Sequence, residues 1–62
     1  MEIERILNDY KFTKVDENEH IRNNWTVRID FPHFEMFSDP EIDTRYYHGY
    51  LDDLEKYLNA LG

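Results

Sequence analysis

Between Trp25 and Phe31 apolar and polar side chains alternate without a break: Trp25, Val27, Ile29 and Phe31 on one side, Thr26, Arg28 and Asp30 on the other. Successive side chains of an extended chain point to opposite faces, so the run predicts a strand with one apolar and one solvated face. Such a strand cannot bury its apolar face alone. It needs partners beside it and a cover over it, and these two needs organise the rest of the chain.

Partners are available on both sides. Pro32 has no backbone N–H and ends the strand or marks a tight reversal. Beyond it Phe34 and Met36 alternate with His33, Glu35 and Phe37, the second arm of a hairpin. Upstream, Tyr10, Phe12 and Lys14 alternate with Lys11, Thr13 and Val15 and read as a further strand. Asp16-Glu17-Asn18-Glu19 is a polar turn, His20-Ile21-Arg22 a short extension, and Asn23-Asn24 a pair that tolerates turn geometry. Ser38 to Thr44 is a polar, acidic loop containing Pro40. After it Arg45-Tyr46-Tyr47-His48 reads as a fourth, edge-like strand that stops at Gly49.

The cover comes from the two ends. Ile3, Ile6, Leu7 and Tyr10 recur at helical spacing, and a helix this short persists only when docked on something. Leu51, Leu54, Tyr57, Leu58 and Leu61 form one apolar stripe on a helix from about Leu51 to Leu61. Asp52 or Asp53 suits its N-cap, Glu55 completes a capping box with Asp52, and Gly62 stands at the C-cap. The expected fold is α+β over a single domain, residues 1–62. A small antiparallel sheet of three strands, or four with Arg45–His48, carries an N-terminal and a C-terminal helix on one face.

A chain of 62 residues buries only about 60% of the surface its unfolded form exposes, so its stability is marginal without help. With no cysteine, neither a disulfide framework nor a thiolate zinc site provides it. Aromatic packing or a partner chain is left, and four phenylalanines, five tyrosines and Trp25 supply the former. Met1-Glu2-Ile3-Glu4 lacks the basic and apolar regions of a signal peptide, and no apolar run approaches a membrane span. The expectation is a soluble cytoplasmic protein beginning at its own start codon.

Seven basic against fourteen acidic residues give a net charge of −7. Residues 1–31 hold seven acids and five bases, a net of −2, and residues 32–62 hold seven acids and two bases, a net of −5. This balance opposes direct binding to nucleic acid or anionic membranes and steers the chain toward basic surfaces.

No catalytic constellation emerges. His20, His33 and His48 are isolated, with no pair at the i, i+4 spacing of helical metal ligands. His33 and Glu35 share a strand face and could meet at a metal with Asp30 or Asp43, which keeps a small metal-dependent hydrolase as the weakest alternative. Asp52 and Asp53 diverge by about 100° on a helix and suit capping better than acid–base chemistry. Ser38 is the only serine, and two glycines are too few for a phosphate-cradling loop. The expected protein is no enzyme and takes no cofactor or metal.

What remains is surface. Glu35, Asp39, Glu41, Asp43, Asp52, Asp53 and Glu55 are relieved only by Arg45, with Tyr46, Tyr47 and Tyr50 among them. If extended, Asp39, Glu41 and Asp43 would project from one side at intervals of about 6.5–7 Å, near a phosphate backbone in sign and spacing. Tyrosines are enriched at interface hot spots, and Tyr46 and Tyr47 on one strand must point to opposite faces. A short, acidic, cysteine-free chain of this kind resembles, in profile and without a shared motif, the small inhibitors of phages and mobile elements, including DNA mimics and anti-CRISPR proteins. The resemblance implies a non-enzymatic inhibitor or adaptor docking on a basic, nucleic-acid-binding protein. The alternative is a self-associating structural module, a homodimer pairing through its edge strand or aromatic surface.

Overall fold

A computed structural model describes residues 2–61. The chain runs α1 (Glu2–Asp9), β1 (Thr13–Lys14), β2 (Glu19–Arg22), β3 (Trp25–Asp30), β4 (His33–Ser38), β5 (Tyr46–Tyr50), a 3-10 turn (Leu51–Asp53) and α2 (Leu54–Leu61). The α+β class stands. The sheet, however, has five strands rather than three or four, all antiparallel in the order β1-β2-β3-β4-β5.

The extra strands lie where the alternation is weakest. β2 has one fully apolar residue, Ile21, yet pairs with β3 from Glu19↔Arg28 to Arg22↔Trp25. Backbone pairing along a strong neighbour makes this a strand where its own pattern does not. Its hairpin with β3 closes at Asn23, whose φ of 56° suits a short polar side chain in a tight turn. β1 is reduced to Thr13 and Lys14 because Phe12 does not belong to it. Phe12 N–H donates to Leu7 O at 2.9 Å and Lys11 N–H to Asn8 O at 3.0 Å, with Lys11 at φ 71°. These bonds form a Schellman motif ending α1, and they drop Phe12 into the core beside Leu7.

Both helices pack on one face of the sheet. Leu7 of α1, Leu54 and Leu58 of α2, and Leu51 of the 3-10 turn close over Trp25, Val27, Phe34 and Met36. Tyr57 meets Phe34 edge-on with ring centroids 5.4 Å apart, and the Tyr10 hydroxyl donates to Asn59, tying the end of α1 to α2. Phe31 departs from the expected stripe: it lies in the turn joining β3 to β4 and is 82% exposed. The expected Asp52–Glu55 capping box does not form either. β5 runs directly into the 3-10 turn, so Tyr50 occupies the N-cap and makes no side-chain capping bond. The C-cap role expected of Gly62 lies outside the described residues. No helix among them is long and apolar enough to cross a membrane.

Candidate binding face

With both helices on one side, the other side of the sheet has no cover among the described residues. Strand register lays out its residues in rows. Ile21, Thr26, Phe37 and Tyr46 cross β2 to β5; Glu19, Arg28, Glu35 and His48 form the next row; Asp30, His33 and Tyr50 form the third. Each belongs to the solvated set of its strand's two-residue period.

This face is aromatic. Phe37 and Tyr46 stack with centroids 6.4 Å apart, Tyr46 and His48 approach at 5.7 Å, and His33 and Tyr50 at 4.6 Å. Tyr46 and Tyr50 are nevertheless 53% and 58% exposed. The Arg28 guanidinium sits 5.7 Å from the Phe37 centroid and bridges to Glu19 at 3.3 Å. The Tyr46 hydroxyl donates to Glu35, and this bond raises the phenol pKa above the usual tyrosine value.

The Asp39–Arg45 loop rises beside these aromatics. It is folded, and the expected carboxylate ladder is absent. Asp39 Oδ1 accepts the Glu41 N–H at 3.0 Å, and the Asp39 carbonyl accepts from Ile42 and Asp43 at 2.9 and 3.0 Å. A proline and an aspartate favour such a turn over extended chain. Asp43 accepts from Arg45 Nε and NH2 at 2.9 and 2.7 Å and from the Arg45 backbone at 3.0 Å. The Arg45 side chain and then its backbone N–H hold the Asp43 carboxyl below its ordinary pKa. Arg45 in turn lies 5.1 Å over the Trp25 ring, anchoring the loop to the sheet. Between loop and sheet runs an open groove of about 740 Å³ lined by Thr26, Arg28, Phe37, Pro40, Asp43 and Tyr46 among others.

The structure thus gathers some of the expected site residues and separates others. Glu35, Tyr46 and Tyr50 share the open face, with Asp39, Glu41 and Asp43 at one end of the β4–β5 hairpin. Tyr47 points the other way and packs against Trp25 and Tyr57, at centroid distances of 6.3 and 5.5 Å. Asp52, Asp53 and Glu55 follow β5 at the opposite end of the hairpin. The length of β5, about 13 Å from Tyr46 to Tyr50 at a strand's rise per residue, parts them from the acidic loop. The C-terminal acids are therefore two groups. Phe37, His48, Arg28 and Ile21 are not among the expected site residues, and His33 is expected only as a metal ligand, although the two-residue period places all five on the solvated side.

The charge of this surface is uneven. Arg28 is paired with Glu19 and Arg45 with Asp43, leaving Asp30, Glu35, Asp39 and Glu41 without an ion-pair partner among the described residues. No three His, Asp or Glu side chains converge to hold a metal ion among the described residues. No protein-family model, curated protein or solved structure matches the chain.

Proposed function

We propose that this chain is a non-enzymatic binding protein, a small acidic inhibitor or adaptor of the phage or mobile-element type, that docks on a basic, nucleic-acid-binding protein in the cytoplasm. The observation carrying this reading is the uncovered sheet face, where Phe37, Tyr46, His48 and Tyr50 meet unpaired carboxylates. Exposed aromatic rings along β4 and β5 with charge beside them supply the two ingredients of a protein interface, anchors for affinity and charge for steering. Lysine and arginine on the partner would pair with Asp30, Glu35, Asp39 and Glu41.

DNA mimicry is the more specific form of the same reading. It rests on the excess of negative charge and no longer on a regular ladder, because the loop is folded. The candidate surface narrows accordingly to Glu35, Asp39, Glu41, Tyr46 and Tyr50, joined by Phe37 and His48.

The test is binding to the isolated partner, obtained by pull-down from the host, at two salt concentrations. Glu35→Lys, Asp39→Lys and Glu41→Lys together should weaken binding at least tenfold and flatten its salt dependence. Tyr46→Ala should weaken it while leaving the salt dependence intact. Unchanged affinity in the triple variant would refute electrostatic docking.

A further inference from the structure

The two edges of the sheet differ in a way that the proposed docking face does not use. β1 is two residues long, and its Lys14 pairs with Glu4 at 2.8 Å, so it offers little to another strand. β5 is five residues long, Tyr46-Tyr47-His48-Gly49-Tyr50, with no proline, lysine or acid in it. It carries none of the devices that discourage edge pairing.

The ladder fixes which of its backbone groups are free. Leu51 N–H donates to Pro32 O at 2.9 Å, which makes Leu51 and Pro32 a hydrogen-bonded pair of the β4–β5 ladder. Bonded and non-bonded pairs alternate, so Gly49↔Phe34 and Tyr47↔Met36 are bonded, while Tyr50↔His33, His48↔Glu35 and Tyr46↔Phe37 are not. The backbone N–H and C=O groups of Tyr46, His48 and Tyr50 therefore point outward from the sheet. The Tyr50 carbonyl, at the N-cap, is taken up by the 3-10 turn.

We infer that β5 pairs with β5 of a second copy of this chain, antiparallel about a two-fold axis through His48. His48 then faces its own counterpart and exchanges both N–H···O bonds with it. Each Tyr50 N–H reaches the Tyr46 carbonyl of the other copy, and this register satisfies the outward donors of His48 and Tyr50. The self-complementary pattern of free N–H and C=O groups about His48 suits a second copy as the occupant, and charge sets the cost. In a chain of net charge −7, two identical acidic surfaces repel almost everywhere, and β5 is a strip that brings no acid of its own to the contact. Pairing also sets Tyr46 of one copy beside Tyr50 of the other, so two open faces join into one ten-stranded aromatic surface.

Sedimentation of the whole chain across the micromolar range should show a dimer that strengthens with added salt as repulsion is screened. His48→Pro removes an N–H that the β4 ladder does not use, so it should give a monomer with an unchanged far-ultraviolet spectrum. The chain has no cysteine, which makes single-cysteine variants clean probes. His48→Cys should oxidise to a covalent dimer, because directly opposed residues have Cα atoms about 5.5 Å apart. Tyr46→Cys should not, because Tyr46 lies four residues from its own counterpart in this register, about 13 Å. A wild-type monomer throughout, a dimer unaffected by His48→Pro, or equal cross-linking of the two cysteine variants would overturn the pairing. Cross-linking is read independently if the proline variant does not fold.

Discussion

Phe34 and Phe37 lie three residues apart on β4 and meet opposite surroundings. Phe34 is fully buried under Tyr57 and α2, whereas Phe37 lies on the open face between Tyr46 and the Arg28 guanidinium. The strand period put them on different sides, and the positions of the helices decided which side became core. Aromatic content alone did not. The covered face holds the fold together, and the open face keeps its rings partly in water, where they are free to meet another molecule.

The largest expected effect separates the two faces directly. Phe34→Ala should cost about 3–5 kcal/mol, a large share of the stability of so small a domain. Phe37→Ala should cost only about 1 kcal/mol, the size of an aromatic pair with little cavity behind it. Urea denaturation of both variants measures the contrast. Equal losses would mean that the open face is structural and would remove the main support for a docking role.

The covered face also hides a titratable group. His20 is 4% exposed, its Nδ1 is buried without a hydrogen-bond partner among the described residues, and Glu4 and Lys14 are the charges that act on it. Burial lowers its pKa below the ordinary histidine value, with Glu4 opposing and Lys14 assisting more weakly. A folded-state pKa lower than the unfolded one means that the unfolded chain binds the proton first. The stabilising contribution of neutral His20 is thus present above about pH 6.5 and is lost progressively as the pH falls from there through the lower folded-state value. Urea midpoints between pH 8 and pH 5 should decline, and His20→Gln should flatten the decline in that window. An unchanged slope in the variant would place the titrating group elsewhere.

The legible parts of this chain were those where one residue pattern sufficed. The Trp25–Val27 stripe, the β3–β4 hairpin, the leucine stripe of α2 and the opposed directions of Tyr46 and Tyr47 all follow from side-chain period. The misreadings share a different cause. Phe12 and Phe31 continue the alternation in sequence but fall beyond the strand ends, one in a Schellman motif and one in a turn. Lysine at positive φ leaves no compositional signal, because only the bonds to Asn8 and Leu7 pay for it. The acidic loop misled for a related reason. Its alternating carboxylates looked extended, yet Asp39 makes more local bonds by turning. For the candidate site, the acids drew attention by charge, whereas Phe37 and His48 are conspicuous only once the helices are known to lie on the other side.

The smallest expected effect probes how tightly the covered face closes at its β5 margin. Gly49 faces the helices, and a Cβ there would stand 3.7 Å from Phe34 Cε1, 3.7 Å from Tyr57 Cε2 and 3.8 Å from Tyr57 Oη. These are ordinary van der Waals distances. Gly49 is in a strand, and alanine adopts strand geometry without strain. Gly49→Ala should therefore stabilise the fold by about 0.4–1 kcal/mol, through a less flexible unfolded chain and a small added contact. The sign is opposite to that of every truncation on the same face. A higher urea midpoint with unchanged slope would confirm spare room for one methyl group between β5 and α2, whereas a lower one would mean that Phe34 and Tyr57 already fill that space and that this margin is as tightly packed as the centre.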